Sequence, residues 1–203
     1  LPVAGGGLHT DAVERARVTS DLLAVLAAHQ VPAVGFVVLN QVKGDSDRAL
    51  LERWLAAGHE LGNHTAAHSD LAKVPLDAYL EDVERGRAGL AELLAPHGRA
   101  VRFFRYPYLR EGETETKLDA VRGALQASGQ RAVPVTVDNQ DWSFERPWVE
   151  ARRAGDQAAL ARVGEEYQLA LRLLALFGQA YLRRGAQFRR AAHRGRHAHP
   201  PRG

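Results

Sequence analysis

The sequence contains no cysteine and no methionine. The first absence excludes disulfides, thiolate metal sites and cysteine nucleophiles, and it leaves the compartment open. Without methionine, residue 1 is not a translation start, so the chain is expected to be a processed or truncated product whose targeting information lay upstream. No apolar run approaches the roughly 20 residues of a membrane span. No positively charged start followed by an apolar stretch marks a secretion signal. Acidic residues are missing from the C-terminal part. Glu166 is the last of them, and beyond it lie only basic charges (Arg172, Arg183, Arg184, Arg189, Arg190, Arg194, Arg196 and Arg202). The overall charge of +3 therefore divides into −5 up to Glu166 and +8 after it. Such asymmetry signals a nucleic-acid or membrane contact, or a tail that does not belong to the fold. Residues 182–203, dominated by Arg, Ala, Gly, His and Pro, have no apolar face and are expected to lack stable structure.

What is present is ordinary for a globular chain: 203 residues, 45% hydrophobic and 25% charged, enough for one domain with a full core. The glycines of Ala4-Gly5-Gly6-Gly7 lack the lysine of a phosphate-binding loop and read as a plain loop. Val13, Val18, Leu22, Val25 and Leu26 recur at helical spacing between Asp11 and Gln30. The near-continuous apolar run from Val31 to Leu39 predicts a strand buried on both faces. Helices are expected over Asp47–Ala57, Leu76–Leu94 and Thr114–Ser128, and from about Arg152 to Arg184. Strands are expected over Glu60–Asn63, Val101–Arg105 and Ala132–Val137. Strands alternating with helices predict an α/β fold with a covered parallel sheet. His64, Arg105, Asp138 and Asp141 then fall at the C-terminal ends of strands, where such sheets carry their active sites.

Three short segments carry chemistry. In Gly62-Asn63-His64-Thr65-Ala66-Ala67-His68, two histidines four apart are expected on one side of a helical turn, with Cβ atoms about 5–6 Å apart. At that spacing both imidazoles reach one divalent metal at about 2.0–2.1 Å, or else they cap a turn at the surface. In Phe103-Phe104-Arg105-Tyr106-Pro107-Tyr108, an arginine enters a proline-fixed turn, and its fork suits a carboxylate. The turn after it suits an oxyanion, and the tyrosines offer flat faces to a sugar ring. In Asp138-Asn139-Gln140-Asp141-Trp142, the choice is between an Asx turn and a carboxylate that fixes Arg105, with Trp142 lining a pocket.

In order and spacing these segments resemble the polysaccharide deacetylase (NodB-homology) family, carbohydrate esterase family 4, over roughly residues 1–175. His64-Thr65-Ala66-Ala67-His68 matches its H-[ST]-x-x-H motif, Arg105-Tyr106-Pro107-Tyr108 its R-x-P-[YF] motif, and Asp138–Trp142 its D-x-x-D-W motif. The resemblance implies a distorted (β/α) barrel and a metal-dependent hydrolase removing acetyl groups from N- or O-acetylated carbohydrate. It implies His64 and His68 as ligands of a divalent metal, zinc or cobalt, and Arg105 and Asp141 as catalytic residues that tune the base. Tyr106, Pro107, Tyr108 and Trp142 would form the substrate site, with the Tyr108 amide at the oxyanion. Family habit places such enzymes in the periplasm or outside the cell.

The chain departs from the family at both ends. The T-F-D-D motif, source of the base and third metal ligand, has no counterpart, since no Asp-Asp pair occurs. The L-x-L-H motif is replaced by Leu173-Leu174-Ala175-Leu176-Phe177 running into the arginine-rich tail. The expected product is a barrel lacking its first and last strands, an incomplete domain over 1–181 followed by the tail 182–203. A change of reading frame near the end would produce this pattern. Two competing readings follow: a glycan-binding remnant without catalysis, and nucleic-acid binding through the basic tail.

Overall fold

The computed structural model describes residues 11–135 and 138–175. The chain divides into two compact units, Leu1–Val135 and Thr136–Gly203.

The first unit alternates helix and strand: α1 (Ala12–Ala28), β1 (Val34–Val37), α2 (Asp45–Ala56), β2 (Glu60–Asn63), α3 (Leu76–Leu94), β3 (Phe103–Phe104), α4 (Glu115–Ala127) and β4 (Arg131–Ala132). The strands form one parallel sheet in the order β1-β2-β3-β4. Consecutive order with right-handed crossovers puts α2, α3 and α4 on the same face of the sheet. A sheet wound in one direction is an arc of a barrel, whereas a doubly wound sheet reverses its order. Among the described residues β4 is the last strand.

The covered face holds the core. Val37 of β1 and Leu61 of β2 pack with Leu50, Leu51, Trp54 and Leu55 of α2 and with Leu90, Leu93 and Leu94 of α3. Nearer the start of α3, Tyr79 and Val83 join Phe104, Tyr106, Val121 and Leu125 in a second cluster. Burying one such Leu or Val contributes about 1.5–3 kcal/mol. The Trp54 indole N–H donates to the Glu60 carbonyl at 2.9 Å and ties α2 to β2. Asp11 and Thr114 cap α1 and α4, accepting from the Glu14 and Lys117 amides.

Several boundaries differ from the expectations. Burial in β1 alternates, with Gly35 and Val37 covered and Val34 and Phe36 only partly so; the strand is covered on one face. Valines in α1 suggested a face containing Val13 and Val25, but both are exposed, at 77% and 56%. The helix instead docks through Arg15, whose guanidinium meets buried Asp47 at 2.9 Å, and through Leu22, Leu23 and Leu26. β4 is shorter than the expected Ala132–Val137. The ladder continues through Val133, whose N–H meets Phe104 O at 2.8 Å, and stops where Pro134 has no N–H to give.

In the second unit α5 (Trp142–Ala154) begins ten residues before the helix expected there and carries Pro147 inside it. Gly155, at φ 67°, ends α5, and residues 157–175 are helical again. Phe144 packs against Tyr167 with ring centroids 5.2 Å apart. No helix among the described residues is long and apolar enough to cross a membrane. The tail 182–203 lies outside the described residues.

Candidate active site

The His64–His68 segment is not the helical turn that its spacing suggested. Thr65 and His68 hold φ of 64° and 60°, a left-handed conformation rare for such side chains. The turn nevertheless brings the two imidazoles together, with centroids 4.8 Å apart and planes at 70°. Its strain is offset by hydrogen bonds. Asn63, wholly buried, accepts the Thr65 N–H at 2.9 Å and donates to Val83 O and Gln130 Oε1, each at 3.0 Å. Thr65 Oγ1 accepts the His68 N–H at 2.8 Å. The turn is stitched to the end of β1 by His64 N–H to Val37 O at 3.0 Å and by Leu39 N–H to Thr65 O at 3.2 Å.

His64 Nδ1 lies 2.7 Å from Arg105 O. A carbonyl only accepts, so Nδ1 carries the proton and Nε2 keeps its lone pair. Burial brings the His64 pKa down to about 4; the Arg105 carbonyl opposes the shift, and His68 and the Arg105 guanidinium reinforce it. Burial also lowers the pKa of His68, against the pull of Asp82. Neutral imidazoles with one nitrogen fixed on a backbone carbonyl are what a divalent cation takes as ligands. His64 and His68 therefore fit two positions of such a cation's shell. Among the described residues no group of three or more His, Asp or Glu side chains completes it.

Arg105 continues β3, its N–H on Asn63 O at 3.1 Å. Its guanidinium carbon lies 4.3 Å from the centre of the Phe36 ring, and Nε–H reaches Val133 O at 3.4 Å. Burial lowers its pKa from the usual range without removing its charge at neutral pH. Phe36 reaches this place across Gly62: a Cβ on Gly62 would stand 2.6 Å from that ring and 3.2 Å from Phe103 O. Of the two tyrosines expected to face a sugar, Tyr108 is 58% exposed and its ring lies 4.7 Å from His68. Tyr106 packs edge-on against Phe104 at 5.1 Å, and its buried hydroxyl has no partner among the described residues. Burial pushes the Tyr106 phenol up to about 12. Buried Pro107 opens a 3-10 turn in which Tyr108 and Leu109 have φ of 56° and 58°. An ion pair from Arg110 to buried Asp70 ties this turn to the histidine loop.

In the second unit, Asp138 Oδ1 accepts the Gln140 N–H at 3.0 Å and Asn139 Oδ1 the Asp141 N–H at 3.3 Å, both Asx turns. Asp141 Oδ1 accepts the Trp142 N–H at 2.9 Å at the start of α5, and Trp142 is 70% exposed.

Sequence reasoning passed over Phe36, Gly62 and Asp82. Asp82 had a legible signal: with Tyr79, Val83 and Gly86 it makes a buried stripe at helical spacing, a carboxylate on an apolar face.

The family model for polysaccharide deacetylase matches residues 8–131. A chitooligosaccharide deacetylase of Sinorhizobium fredii is 38% identical over 136 residues, covering 66% of this chain and 56% of that protein. One of a Bradyrhizobium species is 33% identical over 136 residues, covering 65% and 55%. The chain thus spans about half the length of the curated relatives it matches. Among solved structures, the chitin deacetylase of the fungus Colletotrichum lindemuthianum superposes with a TM-score of 0.51 at 25% identity, over 62% of this chain and 53% of that one. On the family match and the shared sheet, the chain belongs to the polysaccharide deacetylase family.

Proposed function

We propose that this chain carries the central part of a hydrolase that removes acetyl groups from an acetylated carbohydrate, with His64 and His68 holding a divalent cation, zinc or cobalt. The observation that carries the reading is His64: neutral at working pH, fixed through Nδ1–H on Arg105 O, and turned with His68 into one pair of rings. A cation held there would polarise the acetyl carbonyl and acidify a water. Around it, the exposed Tyr108 ring offers a face to the sugar. The Tyr108 amide, which meets no acceptor among the described residues, suits the developing oxyanion. Arg105, stacked on Phe36, supplies a fixed positive charge beside the pair.

A second reading is favoured by the donor set. Among the described residues no carboxylate joins the two histidines as base or third ligand. A chain with a glycan surface and no base binds without cleaving, since loss of a general base costs roughly 10²–10⁴ in rate.

Zinc titration of the native chain against His64→Ala/His68→Ala tests the cation, and turnover of chitin oligomers separates the readings. Binding lost in the double variant, with measurable turnover, supports the hydrolase; binding of glycan without turnover supports the remnant. Zinc affinity equal in both proteins would sink the site.

A further inference from the structure

Asp82, on α3, belongs to none of the three motifs, and its carboxylate is 1% exposed. It reaches out of the helix into the histidine turn. Oδ1 accepts the Ala67 N–H at 2.9 Å and Oδ2 the Ser69 N–H at 3.4 Å, on either side of His68. The Asp82 carbonyl takes the Ala66 N–H at 3.1 Å. The exposed Arg85 guanidinium also bonds Oδ1, at 3.0 Å. One turn on, Gly86 has no side chain where a Cβ would stand 2.7 Å from Thr65 C and 2.9 Å from Ala66 N, so helix and turn are in direct contact. Thus one side chain from a helix takes hydrogen bonds from two residues of a turn that contains two left-handed, non-glycine positions, and its own carbonyl takes a third.

We infer that Asp82 is a positioning residue: it sets the separation of the His64 and His68 rings and so the pair's grip on a cation. A carboxylate suits the task because it accepts at both oxygens, whereas an amide accepts at one and opposes the donor at the other. The inference rests on the cation-holding reading of the pair only for its consequence; the geometry is tested without metal.

The experiment is NMR of the chain with labelled histidine and backbone amides, native and Asp82→Asn. Native protein is expected to show slow hydrogen exchange at the Ala67 amide, although Ala67 itself is exposed, and a cross-peak between the two imidazoles. In Asp82→Asn the cross-peak weakens and Ala67 exchanges faster. Cobalt(II) alone, followed by its visible spectrum, binds about 10–100-fold more weakly. Arg85→Ala, which removes the outer guanidinium and leaves the turn's bonds, keeps the native cross-peak and cobalt affinity. Free exchange of Ala67 in the native chain overturns the inference whether or not the variant folds. So does native ring geometry in Asp82→Asn, or an Arg85→Ala loss as large as that of Asp82→Asn. Failure of the native chain to bind cobalt, with the exchange and cross-peak as expected, overturns the cation reading and leaves the positioning role standing.

Discussion

The two motifs at His64–His68 and Asp138–Trp142 are about equally well matched in sequence, yet they are built in different ways. The first is tied into its surroundings: Asn63 reaches α3 and the segment after α4, and Asp82 reaches back from α3. Arg105 O fixes His64 as well. Each of these bonds spans at least 15 residues of sequence. The second motif closes on itself. Its carboxylate and amide oxygens accept from neighbours one or two residues away, and Asn139 adds one longer bond, to the Tyr167 hydroxyl. Buried, long-range bonds are expensive to remove, because each leaves a group without a partner. Exposed local ones are replaced by water.

Substitutions can break that contrast. Asn63→Ala should cost about 2–4 kcal/mol, since it strands the Thr65 amide, Val83 carbonyl and Gln130 side chain; urea unfolding measures it, and a loss below about 1 kcal/mol would contradict the buried network. Gly62→Ala should cost about 1–3 kcal/mol by driving a methyl into the Phe36 ring and β3. A thermal melt reads this loss, and the Phe36 shift should be visible in its ring resonances. A comparable effect comes from pH. In the metal-free chain the folded His64 pKa, about 4, lies below the unfolded value of 6.5, so unfolding takes up a proton between them. Stability from this group is complete above about 6.5, declines as pH falls towards about 4, and is constant below. His64→Ala should flatten that slope; an unchanged slope would mean that His64 titrates normally. Least affected is Trp142→Ala, within about 0.5 kcal/mol of the native chain, because the ring is 70% exposed.

The periodic elements were readable because local pattern decides them. β2 and α3 fall on their expected bounds, where apolar spacing and the flanking Pro75 leave no competing assignment. The pattern failed where tertiary contacts outweigh it. In α1 a buried Arg15–Asp47 pair, 32 residues apart, joins Leu22 and Leu26 in docking the helix, and Val13 and Val25 are left exposed. In the histidine turn, spacing alone argued for a helix, and hydrogen bonds from the turn's amides to Asn63 and Asp82 hold a left-handed path instead.

By itself the sequence determined the family, the parallel α/β order and the two histidines, because motif identity and hydrophobic period are properties of residues read in line. Only the tertiary structure decided which tyrosine is exposed, where Arg105 rests and what holds His68. Those depend on groups far apart in sequence: Tyr106 against Phe104 and α3, Arg105 over Phe36 across a glycine, Asp82 beneath the turn. Burial and hydrogen bonding act through space, and no linear spacing records which distant side chain will arrive to accept a proton.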